Sequence, residues 1–149
     1  MLKINRKVEY ALMVLKLMSD KGGDELTSAR EVCDRFHTPF DTTSKVMQQL
    51  NLAGILSSVK GTKGGYSLHH DLSQLSYLQL VELIEGKGFG VDCHDGPCEL
   101  MGSCNISQPI KKLNDYVVAV FSSLSIKELL ENEPRKFEKT CPPLLRMPQ

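Results

Sequence analysis

One segment changes its hydrophobic period within a few residues, and that change leaves few folds open: DTTSKVMQQLNLAGILSSVKGTKGGYSLHH, residues 41–70. From about Asp41 to Ala53, the apolar residues Val46, Met47, Leu50 and Ala53 recur at helical spacing. Gly54 then supplies a helix stop. Ile55–Val59 and Tyr66–His69 are short strand-like runs, separated by KGTKGG, a turn with three glycines and two lysines. Two such runs around a glycine-rich turn predict a β-hairpin.

Upstream, a first helix is expected from about Asn5 to Asp20. Ile4, Val8, Leu12 and Leu15 mark its buried face, Ala11 and Met18 lie beside it, and Gly22 and Gly23 end it. A second helix starts at Ser28, with Glu31 at capping-box spacing, and stops near Phe36 because the residue before Pro39 resists helical geometry. Three short helices with a tight turn between the second and third predict a helix-turn-helix. The hairpin that follows then has the place of a wing.

Downstream, Ser76 and Gln79 form a capping-box pair that opens the helix YLQLVELIE, ended by Gly86. A long helix is expected after Ser107 as its cap, with Pro109 tolerated in the first turn. Its apolar residues Ile110, Leu113, Val117, Val120 and Leu124 are spaced 3, 4, 3, 4, a heptad seam over two repeats. Ser125 and Glu128 cap a last short helix, IKELLEN, and the tail from Pro134, with three more prolines, reads as loose. The fold class is therefore mainly α with a small β-hairpin: a winged helix-turn-helix at 1–85, a cysteine loop at 86–105, a long helix and short helix at 106–132, and a tail at 133–149. A single domain of that size has little surface left to cover the heptad seam. Pairing with the same helix of a second chain would bury it, which predicts a homodimer.

The third helix turns Asp41, Ser44, Lys45 and Gln48 away from its apolar side, with Thr42 at the edge. Alone, this set fits a solvated face as well as a surface that reads base edges in a major groove. Lys60 and Lys63 at a glycine-rich tip add groups that reach phosphates or a minor groove. Helix-turn-helix followed by a basic hairpin points to double-stranded DNA, and a dimer presents two reading heads to a pseudo-palindromic site. Net charge is zero, with 18 Lys+Arg and 18 Asp+Glu, so binding by bulk charge alone is not expected. Residues 1–66 nevertheless carry ten Lys+Arg against seven Asp+Glu, 10 − 7 = +3. No apolar run approaches the ~18 residues of a membrane span. The start, MLKINRKVEYALMVLKLM, has no small-residue cleavage site, and the chain reads as cytoplasmic. No Ser/His/Asp set, phosphate loop or acid–base carboxylate pair stands out, so catalysis is not expected.

The remaining feature is VDCHDGPCELMGSC, residues 91–104, with Cys93, Cys98 and Cys104 spaced C-x4-C-x5-C among Gly96, Pro97 and Gly102. It carries Asp92, Asp95 and Glu99 and no Lys or Arg. In a reducing compartment, clustered cysteines are more often metal-binding or redox-active than disulfide-bonded. Structural zinc sites usually pair cysteines more tightly, so zinc fits poorly. An iron–sulfur cluster needs thiolates on a loop wide enough to wrap an inorganic core, and these spacings permit one. A thiol redox switch and an idle loop stay open. Cys33, with apolar residues at helical spacing, reads as a packed core residue, and Cys141 lies in the proline-rich tail.

Several stretches together, KVEYALMVL, SKVMQQLNLAGILSSVKGTKGGYSL, LQLVELIEG and the cysteine triplet before a long helix, resemble the Rrf family of winged-helix transcription regulators. The resemblance covers about residues 1–132, and the three cysteines resemble its cluster-binding branch. It implies a homodimeric regulator, a repressor by expectation. A 2Fe–2S or 4Fe–4S cluster on the cysteine loop would control its DNA affinity in response to redox state, nitric oxide or iron–sulfur status. It places Asp41, Thr42, Ser44 and Lys45 at base-reading positions, and Lys60 where members often have a wing arginine. Two departures matter. Members commonly space all three cysteines by five, whereas the first gap here is four; members with a histidine ligand carry it three residues after the last cysteine, where this chain has Ser107. Three thiolates are thus clear and the fourth ligand is not. In some relatives a carboxylate on the first helix completes the cluster from the partner subunit, and Glu9 stands at that place; the alternative for Glu9 is a surface pair with Arg6. His94 and His37 are outside candidates. Two other functions fit the cysteines: a cluster-free thiol-based regulator, and a small iron–sulfur electron carrier.

Overall fold

A computed structural model describes residues 4–86, 98–100 and 102–131. Among the described residues the elements run α1 (Arg6–Asp20), α2 (Ala29–Phe36), α3 (Phe40–Leu52), β1 (Leu56–Val59), β2 (Gly65–Leu68), α4 (Tyr77–Glu85), α5 (Ser107–Ser123) and α6 (Ile126–Leu130). This is the winged helix-turn-helix with a long following helix that the sequence predicts.

The punctuation is local chemistry. The side chain of Asn5 caps α1, Ser28 caps α2 by accepting from the Glu31 amide at 3.1 Å, and Ser125 does the same for α6 from Glu128. Ser76 and Gln79 complete a reciprocal capping box on α4. At the other ends Gly54 (φ 75°) and Gly86 (φ 70°) take left-handed backbone. After Gly54, the Ile55 amide reaches back to the Leu50 carbonyl at 3.0 Å, closing the end of α3. α2 ends differently: His37 is the left-handed cap (φ 53°), a conformation that histidine tolerates better than most side chains.

α1 is the central core helix, contributing Val8, Ala11, Val14, Leu15, Leu17 and Met18; α3 adds Val46, Met47 and Leu50, and α4 adds Leu80, Val81 and Ile84. Two expectations fail at helix ends. Ile4 precedes the α1 cap and is exposed, and Ala53 is exposed beyond the last turn of α3, so neither joins the face that its spacing suggests. Thr43 takes the remaining inward position on α3. α3 itself begins one residue before the expected Asp41, at Phe40 after Pro39.

The hairpin pairs Leu56 with Leu68 and Val59 with Gly65 in antiparallel register. β2 is also held on its other edge. Thr27 forms an antiparallel bridge with Tyr66, with bonds of 2.8 and 2.9 Å, and the Leu68 amide donates to the Gly23 carbonyl. A Cβ at Gly65 would lie 3.1 Å from the Thr27 carbonyl oxygen, so a side chain there would press on this bridge.

The long helix departs from its predicted cap. Ile106, not Ser107, is the N-cap of α5, no side chain caps the first turn, and Ser107 is its first helical residue. None of its residues is fully buried. At its end the chain returns to the domain: the Tyr77 amide donates to Leu124, the Ile126 amide to Leu75 and the Lys127 amide to Leu72. Ile126 is fully buried in the common core. Phe121 packs edge-on against Tyr77 with ring centroids 4.9 Å apart. The last heptad residue, Leu124, therefore packs against its own chain's core.

Candidate nucleic-acid interface and thiol loop

α3 divides into two faces. Thr43, Val46, Met47 and Leu50 fix it to the core, so Asp41, Lys45 and Gln48 are exposed on the opposite side, with Thr42 and Ser44 half-buried at the edges. Leu52 continues that exposed row and is 85% exposed. The α2–α3 turn is set by a hydrogen-bonded chain: the Thr43 hydroxyl donates to Thr38 at 2.9 Å, and the Thr38 hydroxyl donates to the Cys33 sulfur at 3.6 Å. Cys33 is half-buried and belongs to this turn rather than to the deep core.

A shallow pocket of about 340 Å³ opens on the outer side of α3, lined by Thr42, Lys45, Val46, Gln48, Gln49 and Leu52, with Lys7 of α1 across from them. Three of the predicted reading residues, Thr42, Lys45 and Gln48, meet here. Gln49, Leu52 and Lys7 were not predicted. The 41-45-48-52 spacing points to Leu52, whereas only the packing of α1 against α3 brings Lys7 to the site.

On the wing, Lys60 and Lys63 are exposed in the loop between β1 and β2. Gly61 takes φ 129°, and a Cβ on Gly64 would lie 2.4 Å from the Val59 carbonyl oxygen, so glycine is required to turn the tip this tightly. The Gly64 amide closes the turn on the Gly61 carbonyl at 3.0 Å.

Of the cysteine triplet, Cys93 lies outside the described residues, as do His94 and Cys141. Cys98 is an exposed free thiol and Cys104 a half-buried one. Gly102 (φ 101°) turns the chain between them, and the amides of Ser103 and Cys104 both donate to the Leu100 carbonyl. Three residues beyond Cys104, α5 begins with no acidic side chain in its first turn. Soft, unpaired thiols on a glycine-turned loop at a helix start are a donor set that fits an iron–sulfur cluster.

Glu9 is half-buried on α1 and accepts from Arg6 at 2.8 Å, the surface pair named as its alternative. Along α5 the apolar residues sort into two sides. Leu113, Tyr116 and Val120 are exposed, with Ile106 before them, while Ile110 and Val117 are half-buried. Among the described residues no helix is long and apolar enough to cross a membrane.

A family model described as an iron-dependent transcriptional regulator, Rrf2, matches residues 4–132. The HTH-type transcriptional repressor NsrR of Streptomyces coelicolor is 26% identical over 131 residues, which are 87% of this chain and 88% of that protein. Among solved structures, CymR, the global cysteine regulator of B. subtilis, superposes with a TM-score of 0.68 at 21% identity, covering 90% of this chain and 100% of that one. IscR of T. potens superposes with a TM-score of 0.64 at 17% identity, covering 87% and 86%. With the winged helix and the exposed polar side of α3 in place, the chain belongs to the Rrf2 family of DNA-binding transcription regulators.

Proposed function

We propose that the chain is a homodimeric repressor whose affinity for a pseudo-palindromic operator is set by an iron–sulfur cluster, 2Fe–2S or 4Fe–4S, held by Cys93, Cys98 and Cys104. One observation carries the reading: the free thiols Cys98 and Cys104 lie on the turn that leads directly into α5, whose outer face is apolar. A change on the loop thereby acts on the helix that would pair two subunits. When bound, the cluster supplies a redox- and nitric-oxide-sensitive core. Ile110, Leu113, Val117 and Val120 form the paired seam. Asp41, Thr42, Ser44, Lys45 and Gln48 read bases, and Lys60 and Lys63 hold the backbone from the wing.

Glu9 is assigned as the fourth ligand, reaching the partner subunit's loop. Its pair with Arg6 is exposed on the Arg6 side, and such surface pairs contribute little, about 0–1 kcal/mol. Exchanging Arg6 for iron therefore costs little. Oxidation, nitrosylation or loss of the cluster would release Glu9 and shift the two reading heads.

The test is a set of variants purified without oxygen. Cys98→Ser and Cys104→Ser should each abolish visible absorption and fix DNA affinity at the cluster-free value. Glu9→Ala should shift the spectrum and blunt the response; an unchanged spectrum and response would remove Glu9 from the ligand set and leave the rest intact. A second reading, direct thiol sensing without a cluster, is favoured by the exposure of Cys98 as a free thiol. It predicts colourless protein whose DNA binding still depends on oxidant. An electron carrier has no use for a basic wing and an exposed polar α3, and is not retained.

A further inference from the structure

The pocket beside α3 brings in a cation that the reading face does not account for. Lys7 lies in the first turn of α1, and its amide is fixed by the Asn5 cap at 3.0 Å. It is exposed and lines the same pocket as Thr42, Lys45 and Gln48. Its neighbours in the basic N-terminal half are engaged: Arg6 with Glu9, Lys16 with Asp20, and Lys21 with Glu25 and Glu31. Among the described residues neither Lys7 nor Lys45 has a carboxylate partner, and no Asp or Glu lines the pocket. Two unpaired ammonium groups thus stand across an opening whose walls add a hydroxyl, two side-chain amides and the apolar edges of Val46 and Leu52. Cations, neutral donors and apolar edges in one opening match a sugar–phosphate unit. The pocket is also continuous with the face that reads bases.

We infer that this pocket seats one DNA backbone phosphate with its deoxyribose, and that Lys7 is a phosphate-positioning residue which fixes the register of α3 in the groove. The inference rests on the DNA-binding reading and deepens it. Phosphate contacts set affinity and register without reading sequence, whereas base contacts set preference among sequences. Lys7 and Gln48 therefore predict opposite signatures from the same pocket.

The experiment uses the full chain, a duplex enriched from a random library by the wild-type protein, and a scrambled duplex of equal length. Lys7→Gln should weaken binding to both duplexes by the same factor, about three- to tenfold. It should also reduce the slope of log affinity against log salt by about 1. Lys7→Arg should restore both values, because charge and reach are kept. Gln48→Ala should instead change the ratio between the two duplexes. Unchanged affinity and slope in Lys7→Gln would overturn the inference, as would a loss confined to the enriched duplex. Stabilisation of wild type, but not Lys7→Gln, by inorganic pyrophosphate without any DNA effect would also overturn it, by assigning the pocket to a small anion. If wild type enriches no duplex from the library, the DNA-binding reading itself falls, a result separable from all of these.

Discussion

Thr27 is fully buried, and its hydroxyl finds no partner among the described residues although its backbone bridges Tyr66 on both sides. A buried hydroxyl without a bond costs desolvation and returns nothing, whereas valine has the same shape. Thr27→Val should raise stability by about 1 kcal/mol, read from urea unfolding. Gly64 predicts the opposite sign. With a Cβ 2.4 Å from the Val59 carbonyl, Gly64→Ala must move backbone, at a cost of about 1–3 kcal/mol, and should weaken DNA binding through the displaced wing. Lys21 predicts a pH dependence. Its hydrogen bond to Glu31, opposed by partial burial and aided by Glu25, holds the ammonium above the usual lysine value of 10.5. A raised folded value stabilises the fold fully below about 10.5, and that contribution is lost as pH rises through the folded value. The urea midpoint of wild type should therefore fall more steeply above that pH than that of Lys21→Met. At this scale the sequence was legible where a residue acts alone, as in the caps Ser28, Ser76 and Ser125 and the stops Gly54 and Gly86. It was not legible where the role comes from a distant neighbour: nothing near Thr27 announces Tyr66, and nothing near Lys7 announces Lys45.

At the level of elements, α5 and α6 behave differently although they follow one another. α6 has five residues, too few to persist alone. It is held because Ile126 is fully buried and because the amides of Ile126 and Lys127, at its start, donate to the Leu75 and Leu72 carbonyls. Ile126→Ala should cost about 2–5 kcal/mol of stability, measured by unfolding of the whole domain, since it leaves a cavity in the common core. α5 has the reverse problem. Its inner side reaches α4 through Phe121 and Leu124, and its outer side leaves Leu113 56% and Val120 51% exposed. A helix with an apolar face toward water is stabilised by pairing. The double substitution Leu113→Glu with Val120→Glu should convert a dimer to a monomer in sedimentation while the winged helix keeps its melting transition. The heptad spacing was visible in the sequence; that its last residue, Leu124, turns inward was not, because the spacing does not record where the helix meets α4. The same blindness made Ile4 and Ala53 look buried: periodicity continues past a helix end, but packing does not.

For the whole molecule, helix, hairpin and heptad fix the order of parts, and the order carries the account: a reading head, a thiol loop, then the helix that would join two copies. The winged helix could be read from residues 41–70 because its signals are local. The proposed fourth ligand could not, since a ligand supplied by a second chain would leave no spacing in the first. The central claim is that an iron–sulfur cluster on this loop sets DNA affinity. Its most direct test is to purify the full chain without oxygen, measure iron and acid-labile sulfide, and titrate one enriched duplex with the same preparation before and after the cluster is removed. The account predicts iron and sulfide in comparable amounts, and an affinity change of about tenfold or more on removal. Colourless protein without iron or sulfide, or one affinity in both states, would contradict it.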